Sequence, residues 1–410
     1  MARPRLGIFQ SAFTGLGGAE LLAATQATWL AGQGIDVTLA AFAFDEAVWR
    51  PILGDLPLRR IPKRTPLDPF VFWSRLLKLK LRSRAVGRAL GGFDVVLAHS
   101  YPSSTLLGHA RIQGRKAWYC HEAPWRLHAE APGYLLLKDL ERFRGVCDPG
   151  YFAILEAARE EVLASSRRSG KLRRYDREAL DRMGTVMANS AFCRDALQAI
   201  YGRADVQVVP PIVRFGQSRG RSGMDRSAPG VLVMARLELL KNVETVVRGF
   251  ARVRGAGGPR PTLHIVGEGR QRPRLEALAA ELGIAEAVRF HGYLDPVRDA
   301  EAFDRICAAC DVFALLPLDE SFGLVYPEAA SRGLLLLGPE QGGPAEILDH
   351  GALGRVVPAL DEAAFAEALA ATLALPDAEA DRLRASADRA CRGRFSVEVV
   401  GPLLKNVLCL

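Results

Sequence analysis

The chain has 410 residues, with 54 Lys and Arg against 46 Asp and Glu for a net charge of +8, and 49% of its residues are apolar. That length and apolar content exclude an extended disordered chain and a single small core, and they suit two domains of about 200 residues each. Seven scattered cysteines exclude a disulfide framework, and no uninterrupted apolar run reaches the about 18 residues of a membrane-spanning helix.

Met1-Ala-Arg-Pro-Arg runs straight into the first apolar run, a charged start without the apolar centre of a signal peptide, so a cytoplasmic location is expected. Apolar runs at 6–9, 35–42, 94–98, 116–120, 185–189 and 206–209 alternate with helical stretches. The alternation resumes at 231–234, 263–266, 288–290, 312–316, 334–337 and 355–357. Strands so continuously apolar belong in parallel sheets covered on both faces, which predicts an α/β fold. Between the two series, Val209-Pro210-Pro211 and a polar Gly/Ser stretch over 218–227 read as a linker, with a boundary near 212. Cys307 and Cys310 form a C-x2-C pair without a second pair at zinc-site spacing, and are expected to pack in a core.

Charge is unevenly shared, +11 over residues 1–215 and −3 over the rest. A basic first half suggests an anionic ligand or a negatively charged surface. Over 70–88, aromatics and leucines interleave with cations; Arg75, Lys78 and Arg82 fall on one helical face, with Phe72, Leu76 and Leu79 beside it. Such a helix can lie on an anionic bilayer or dock on its own sheet. Arg167 to Arg177 reads as a flexible basic loop. No nucleic-acid motif accompanies the charge, so no nucleic-acid partner is expected.

The densest chemistry lies in Glu320-Ser-Phe-Gly-Leu-Val-Tyr-Pro-Glu328, between an apolar run and a small-residue segment that reads as helical. One acid sits at the exit of a buried strand and the other inside the next helix. The amides of Phe322, Gly323 and Leu324 then fall near a helix N-terminus, where free donors and aligned dipoles seat an anion. A carboxylate just before that seat can hold sugar hydroxyls, and one farther on can reach a ribose. Such a layout suits a nucleotide sugar.

This segment resembles the E-x7-E signature of the retaining glycosyltransferases of family 4. Val231-Leu-Val-Met-Ala-Arg236-Leu-Glu-Leu-Leu-Lys241 is similar to that family's strand followed by an R-x4-K pair. Leu263-His-Ile-Val-Gly267-Glu-Gly269 and Val288-Arg-Phe-His-Gly292 resemble its next strand ends, and Gly15-Leu-Gly17-Gly18 its first glycine loop. Together these cover most of the chain in the family's order.

The resemblance implies two Rossmann-like domains facing a cleft, the GT-B fold. It places an acceptor-binding domain at 1–212 and a donor domain at 213–394, with 395–410 a helix crossing back to the first. It implies retaining, metal-independent hexosyl transfer with no cofactor and no metal site. Arg236 and Lys241 would neutralise the departing diphosphate, Glu320 would hold the hexose, and Glu328 the ribose. His121, at a strand end, would orient the sugar, with His99 and His128 flanking it. Gly15, Gly17 and Gly18 would let the backbone approach phosphate or acceptor, and Gly267 and Gly292 would border the base. Glu122 offers slim support for a covalent nucleophile; front-face return, with the leaving phosphate oxygen taking the acceptor proton, is favoured. Likeness to bacterial polysaccharide mannosyltransferases tilts the donor towards GDP-mannose over UDP-glucose. The expected acceptor is a glycan or lipid-linked glycan, with peripheral contact through 70–88 at the inner face of the cell membrane. The alternatives are transfer to a soluble small molecule, and a sugar-nucleotide epimerase or non-catalytic binding protein.

Overall fold

Two α/β units make up the chain in a computed structural model describing residues 3–62, 75–129, 134–216, 228–255, 260–295 and 298–410. The first comprises Met1–Pro132, Glu161–Ile212 and Phe395–Leu410, and the second Gly133–Glu160 with Val213–Arg394. The grouping of Gly133–Glu160 with the second unit departs from the expectation of an uninterrupted 1–212 domain.

In the first unit the strands are β1 (Arg5–Phe9), β2 (Ala12–Phe13), β3 (Asp36–Ala41), β4 (Ala43–Phe44), β5 (Leu58–Arg60), β6 (Val95–His99), β7 (Arg115–Cys120), β8 (Thr185–Ala188) and β9 (Gln207–Val208). Seven of them form a parallel sheet in the order β5-β3-β1-β6-β7-β8-β9, while β2 and β4 pair apart. Every residue of β6 is buried, as expected of a central strand with helices on both faces. Leu6, Ile8, Leu39, Leu97, Tyr119 and Met187 anchor one core. Chain order reverses on either side of β1, which puts the loops after β1 and β6 at the topological switch point, where such sheets bind ligands. The helix Val397–Val407 joins this core through Val400 and Leu404, and Gly401 lets it lie against Trp29, whose ring a Cβ would meet at 2.5 Å.

The second unit holds β10 (Gly230–Met234), β11 (Thr262–Val266), β12 (Val288–Gly292), β13 (Val312–Ala314), β14 (Leu335–Pro339) and β15 (Arg355–Val357). Their order, β12-β11-β10-β13-β14-β15, is again parallel and reverses at β10. The loops after β10 and β13 therefore share a switch point.

Every apolar run read as a strand is one. The strands β2, β4 and β5 were not legible, since two are a residue pair each and Leu58-Arg-Arg60 is a largely exposed edge. The basic run Arg167–Arg177 is not a loop. Its residues belong to the helices Pro149–Arg168 and Gly170–Leu180, interrupted at Ser169. Arg, Lys, Leu and Glu favour helix, and Tyr175, Ala179 and Leu180 give the second helix a buried face; the Ser-Gly pair had suggested a loop. Cys307 and Cys310 are buried, as expected.

Of the expected amphipathic helix, 70–74 lie outside the described residues, Phe72 among them. The remainder, Arg75–Leu90, buries Leu81, Ala85, Val86 and Leu90 and exposes a stripe of Leu77, Lys80, Arg84 and Arg88. Arg82 is turned from that stripe, its guanidinium 5.9 Å over the Phe42 ring.

Candidate functional site

In the second unit the loop leaving β10 carries Arg236, exposed, and then the short 3-10 turn Leu239–Lys241. Asn242 ends that turn in the left-handed region at φ +52° before the helix Val243–Gly255 begins. The loop leaving β13 carries Glu320, and Leu318 N–H donates to Leu240 O at 2.9 Å, tying the two loops together. Lys241 Nζ meets Glu320 Oε2 at 2.6 Å, each side chain 22% exposed. A cation and a carboxylate are thus held at the mouth of the switch point, both open to solvent and to a ligand.

Two glycines that open the helix Gly342–Ile347 after β14 support Glu320. Gly343 N–H donates to Glu320 O at 2.9 Å, and a Cβ on Gly343 would fall 2.2 Å from Ser321 O. Gly342, at φ +80°, would put a Cβ 2.7 Å from Glu320 O. Neither was singled out from sequence, although Gly342-Gly343-Pro344, a few residues past the apolar run 334–337, was a readable signal.

Phe322, Gly323 and Leu324 lead into the helix Val325–Ala330, so their amides stand at its N-terminal end, where intrahelical acceptors are missing. Gly323 has φ +96° and would press a Cβ to 2.9 Å from the Tyr326 ring. Glu328 lies within that helix, partly buried. Burial pushes its carboxyl up from 4.5 to about 7, against the opposing pull of the Arg332 and Arg214 guanidinium groups.

Gly267 and Gly292 are brought together, Gly267 N–H donating to Gly292 O at 2.8 Å. At φ +137° a Cβ on Gly267 would overlap Ala235 O at 1.8 Å, so only glycine lets the ends of β10 and β11 lie side by side. Arg236 follows Ala235 on that same edge.

The remaining expected residues belong to the first unit. Gly17 caps the helix Gly18–Gly32 and is crowded by Glu20, whose Oε2 would be 2.3 Å from a Cβ; Gly15 faces open space. His121 follows β7, its carbonyl accepting from Asn189 Nδ2 at 2.6 Å. Its Nε2 lies 2.9 Å from His99 Nδ1, one ring donating to the other. Burial drives the His121 pKa down to about 3, and burial with the neighbouring His121 lowers that of His99, so the pair is neutral at physiological pH. His128 is committed elsewhere, with Nε2 2.9 Å from buried Asp176, which also accepts from Tyr201 OH at 2.6 Å and Thr105 Oγ1 at 2.5 Å. Glu122 accepts from Trp125 Nε1 at 2.6 Å.

The family model described as Glycosyltransferase Family 4 matches residues 16–215, and that described as Glycosyl transferases group 1 matches 216–389. The chain belongs to glycosyltransferase family 4. Among curated relatives of this family 4 chain, the D-inositol 3-phosphate glycosyltransferase of Nocardia farcinica is 34% identical over 221 residues, 48% of this chain and 46% of that protein. The lipopolysaccharide core biosynthesis glycosyltransferase LpsE of Rhizobium meliloti is 25% identical over 219 residues, 52% and 61% of the two. The chain spans about half the length of the curated relatives it matches. Among the solved structures that share its fold are HepE of Anabaena in complex with UDP and glucose (TM-score 0.71, 16% identity, 99% of this chain and 100% of that one) and the lipopolysaccharide outer core galactosyltransferase WaaB (TM-score 0.71, 15% identity, 99% of each). The fold of this family 4 chain is that of GT-B glycosyltransferases.

Proposed function

We propose that this family 4 chain is a retaining hexosyltransferase that moves mannose or glucose from a nucleotide diphosphate sugar to a glycan or lipid-linked acceptor. The observation that carries this reading is the Lys241–Glu320 pair at the switch point of the second sheet, with Arg236 on the same loop. As the glycosidic bond breaks, negative charge grows on the diphosphate. Lys241 supplies a point charge and Arg236 a planar fork to meet it, so the transfer proceeds without a metal. Glu320, released from Lys241 by the incoming phosphate, accepts hydrogen bonds from the hexose hydroxyls. Glu328 takes the ribose, and the amides of Gly323 and Leu324 help to seat the anion. Neutral His121 orients the hexose. The donor is GDP-mannose or UDP-glucose, and front-face return gives retention.

Among the described residues no helix is long and apolar enough to cross a membrane. The exposed Leu77, Lys80, Arg84 and Arg88 stripe supports peripheral contact with an anionic bilayer on the cytoplasmic side. A second reading, transfer to a soluble phosphorylated polyol, is favoured by the similarity to the D-inositol 3-phosphate glycosyltransferases, and the basic first half of the sequence suits such an acceptor equally.

Thermal unfolding against UDP, GDP, ADP and their hexose conjugates tests the donor site. One base should stabilise the protein by about 2.7 kcal/mol at 100 times its dissociation constant. Lys241→Ala and Glu320→Gln should each abolish most turnover, with about 10²–10³ lost in kcat for removal of a preorganised charge contact. A wild-type protein that responds to none of the nucleotides overturns the reading.

A further inference from the structure

Asn242 is a saturated junction. A primary amide has two N–H donors and an oxygen with two lone pairs, and here all four are used. Nδ2 donates to Leu316 O at 2.7 Å and Ala359 O at 2.6 Å, and Oδ1 accepts from Thr245 Oγ1 at 2.8 Å and Tyr151 OH at 3.0 Å. The side chain, 1% exposed, thereby binds the loop after β10 to the run leaving β13, the turn after β15 and the helix Val243–Gly255. Three of these partners lie in the second half of the sequence. The fourth, Tyr151, is 91 residues upstream, on the segment Gly133–Glu160 that belongs to this unit.

Tyr151 is itself fixed. Its N–H donates to Asp148 Oδ1 at 2.9 Å, and the same carboxylate pairs with Arg248 at 3.1 Å, which also holds buried Glu244. The segment touches the other side of the candidate site as well. Arg142 pairs with Glu340 at 2.8 Å, just before the glycines that support Glu320, and Tyr134 OH lies 3.5 Å from Ser321 Oγ.

We propose that Tyr151 is a positioning residue for Lys241, acting through Asn242. Lys241 is the residue immediately before Asn242, so the left-handed turn at Asn242 decides where the Lys241 side chain leaves the backbone. Four hydrogen bonds hold the amide that fixes this turn. Removing the Tyr151 hydroxyl leaves one lone pair of a buried oxygen empty and frees the turn to rock, which spreads Lys241 Nζ over positions other than the one facing Glu320.

Two measurements on Tyr151→Phe in the full chain test this. The first needs no ligand: hydrogen exchange of the Lys241 and Asn242 amides, which close on Glu238 O and Leu239 O. These should exchange about fivefold faster than in wild type, the effect of one lost hydrogen bond, while β11 amides stay unchanged. Unaltered exchange at 241–242, or acceleration throughout the unit, overturns the proposal. The second rests on the proposed function and uses whichever of UDP, GDP or ADP stabilises the wild type. Tyr151→Phe should weaken that nucleotide about fivefold and produce no further weakening once Lys241 is Ala, because the two act as one unit. Equal weakening in both backgrounds means a general structural effect and overturns the proposal. If the wild type binds no nucleotide, the functional reading falls, and the exchange experiment still decides the role of Tyr151.

Discussion

Replacing Glu328 by Gln should change how stability depends on pH. Burial lifts the Glu328 carboxyl from 4.5 to about 7 in the folded chain, so the native state holds this proton more tightly than the unfolded state. Its contribution is therefore fully present below about pH 4.5, declines as the unfolded chain ionises first, and is gone once pH passes about 7. At about 1.4 kcal/mol per pH unit, the interval between the two values sets a ceiling of about 3 kcal/mol, and the partial exposure of Glu328 reduces it to about 1–2 kcal/mol. The Gln variant retains the shape and lacks the titration. Scanning calorimetry from pH 4 to 9 should give matching melting temperatures at the acid end. Above about pH 7.5 the variant should melt higher, by about 2–4 °C per kcal/mol for a unit of this size. A difference independent of pH would refute the buried-carboxyl argument. In the functional reading, wild-type affinity for the nucleotide should also rise as Glu328 ionises near pH 7, and the variant should lose that rise.

Gly267→Ala should lower the melting temperature sharply, since a Cβ there overlaps Ala235 O and φ is +137°; about 3 kcal/mol or more is expected, and an unchanged melt would contradict the strand-end packing. Replacing Lys80, Arg84 and Arg88 together by Ser should reduce co-sedimentation with phosphatidylserine vesicles by about a hundredfold, at about 1 kcal/mol per cation. Vesicle binding unaffected by the triple change would remove this helix as a membrane contact.

Much of the architecture was legible because strands in covered parallel sheets are runs of Val, Ile, Leu and Ala, and such runs stand out against the helices between them. Lys241 and Glu320 were legible as chemistry, and they prove to be in contact. What stayed hidden was whatever depends on distance in the sequence. Nothing around Tyr151 reveals that its hydroxyl meets Asn242, nor does Asn242 show that its amide reaches Leu316 and Ala359. His99 was visible as a histidine at a strand end, but its bond to His121 depends on β6 and β7 lying side by side. The basic Arg167–Arg177 run misled because charge and a Ser-Gly pair say nothing about the buried face opposite.

The segment Gly133–Glu160 also bears on the order in which the protein is made. It leaves the ribosome some 50 residues before Val213, where its unit resumes, and more than 200 before Arg394, where the unit ends. At about 5–20 residues per second, it waits tens of seconds for Glu340 and Ala359 to be synthesised. Until then the surface of their own unit that covers Tyr134, Tyr151 and Leu155, all buried in the finished protein, is incomplete. A recombinant piece cut at the linker, 213–394, would have the converse defect. It would expose Asn242, Arg248 and Glu340 with their upstream partners missing, so the second unit is a product of the whole chain rather than of its own half.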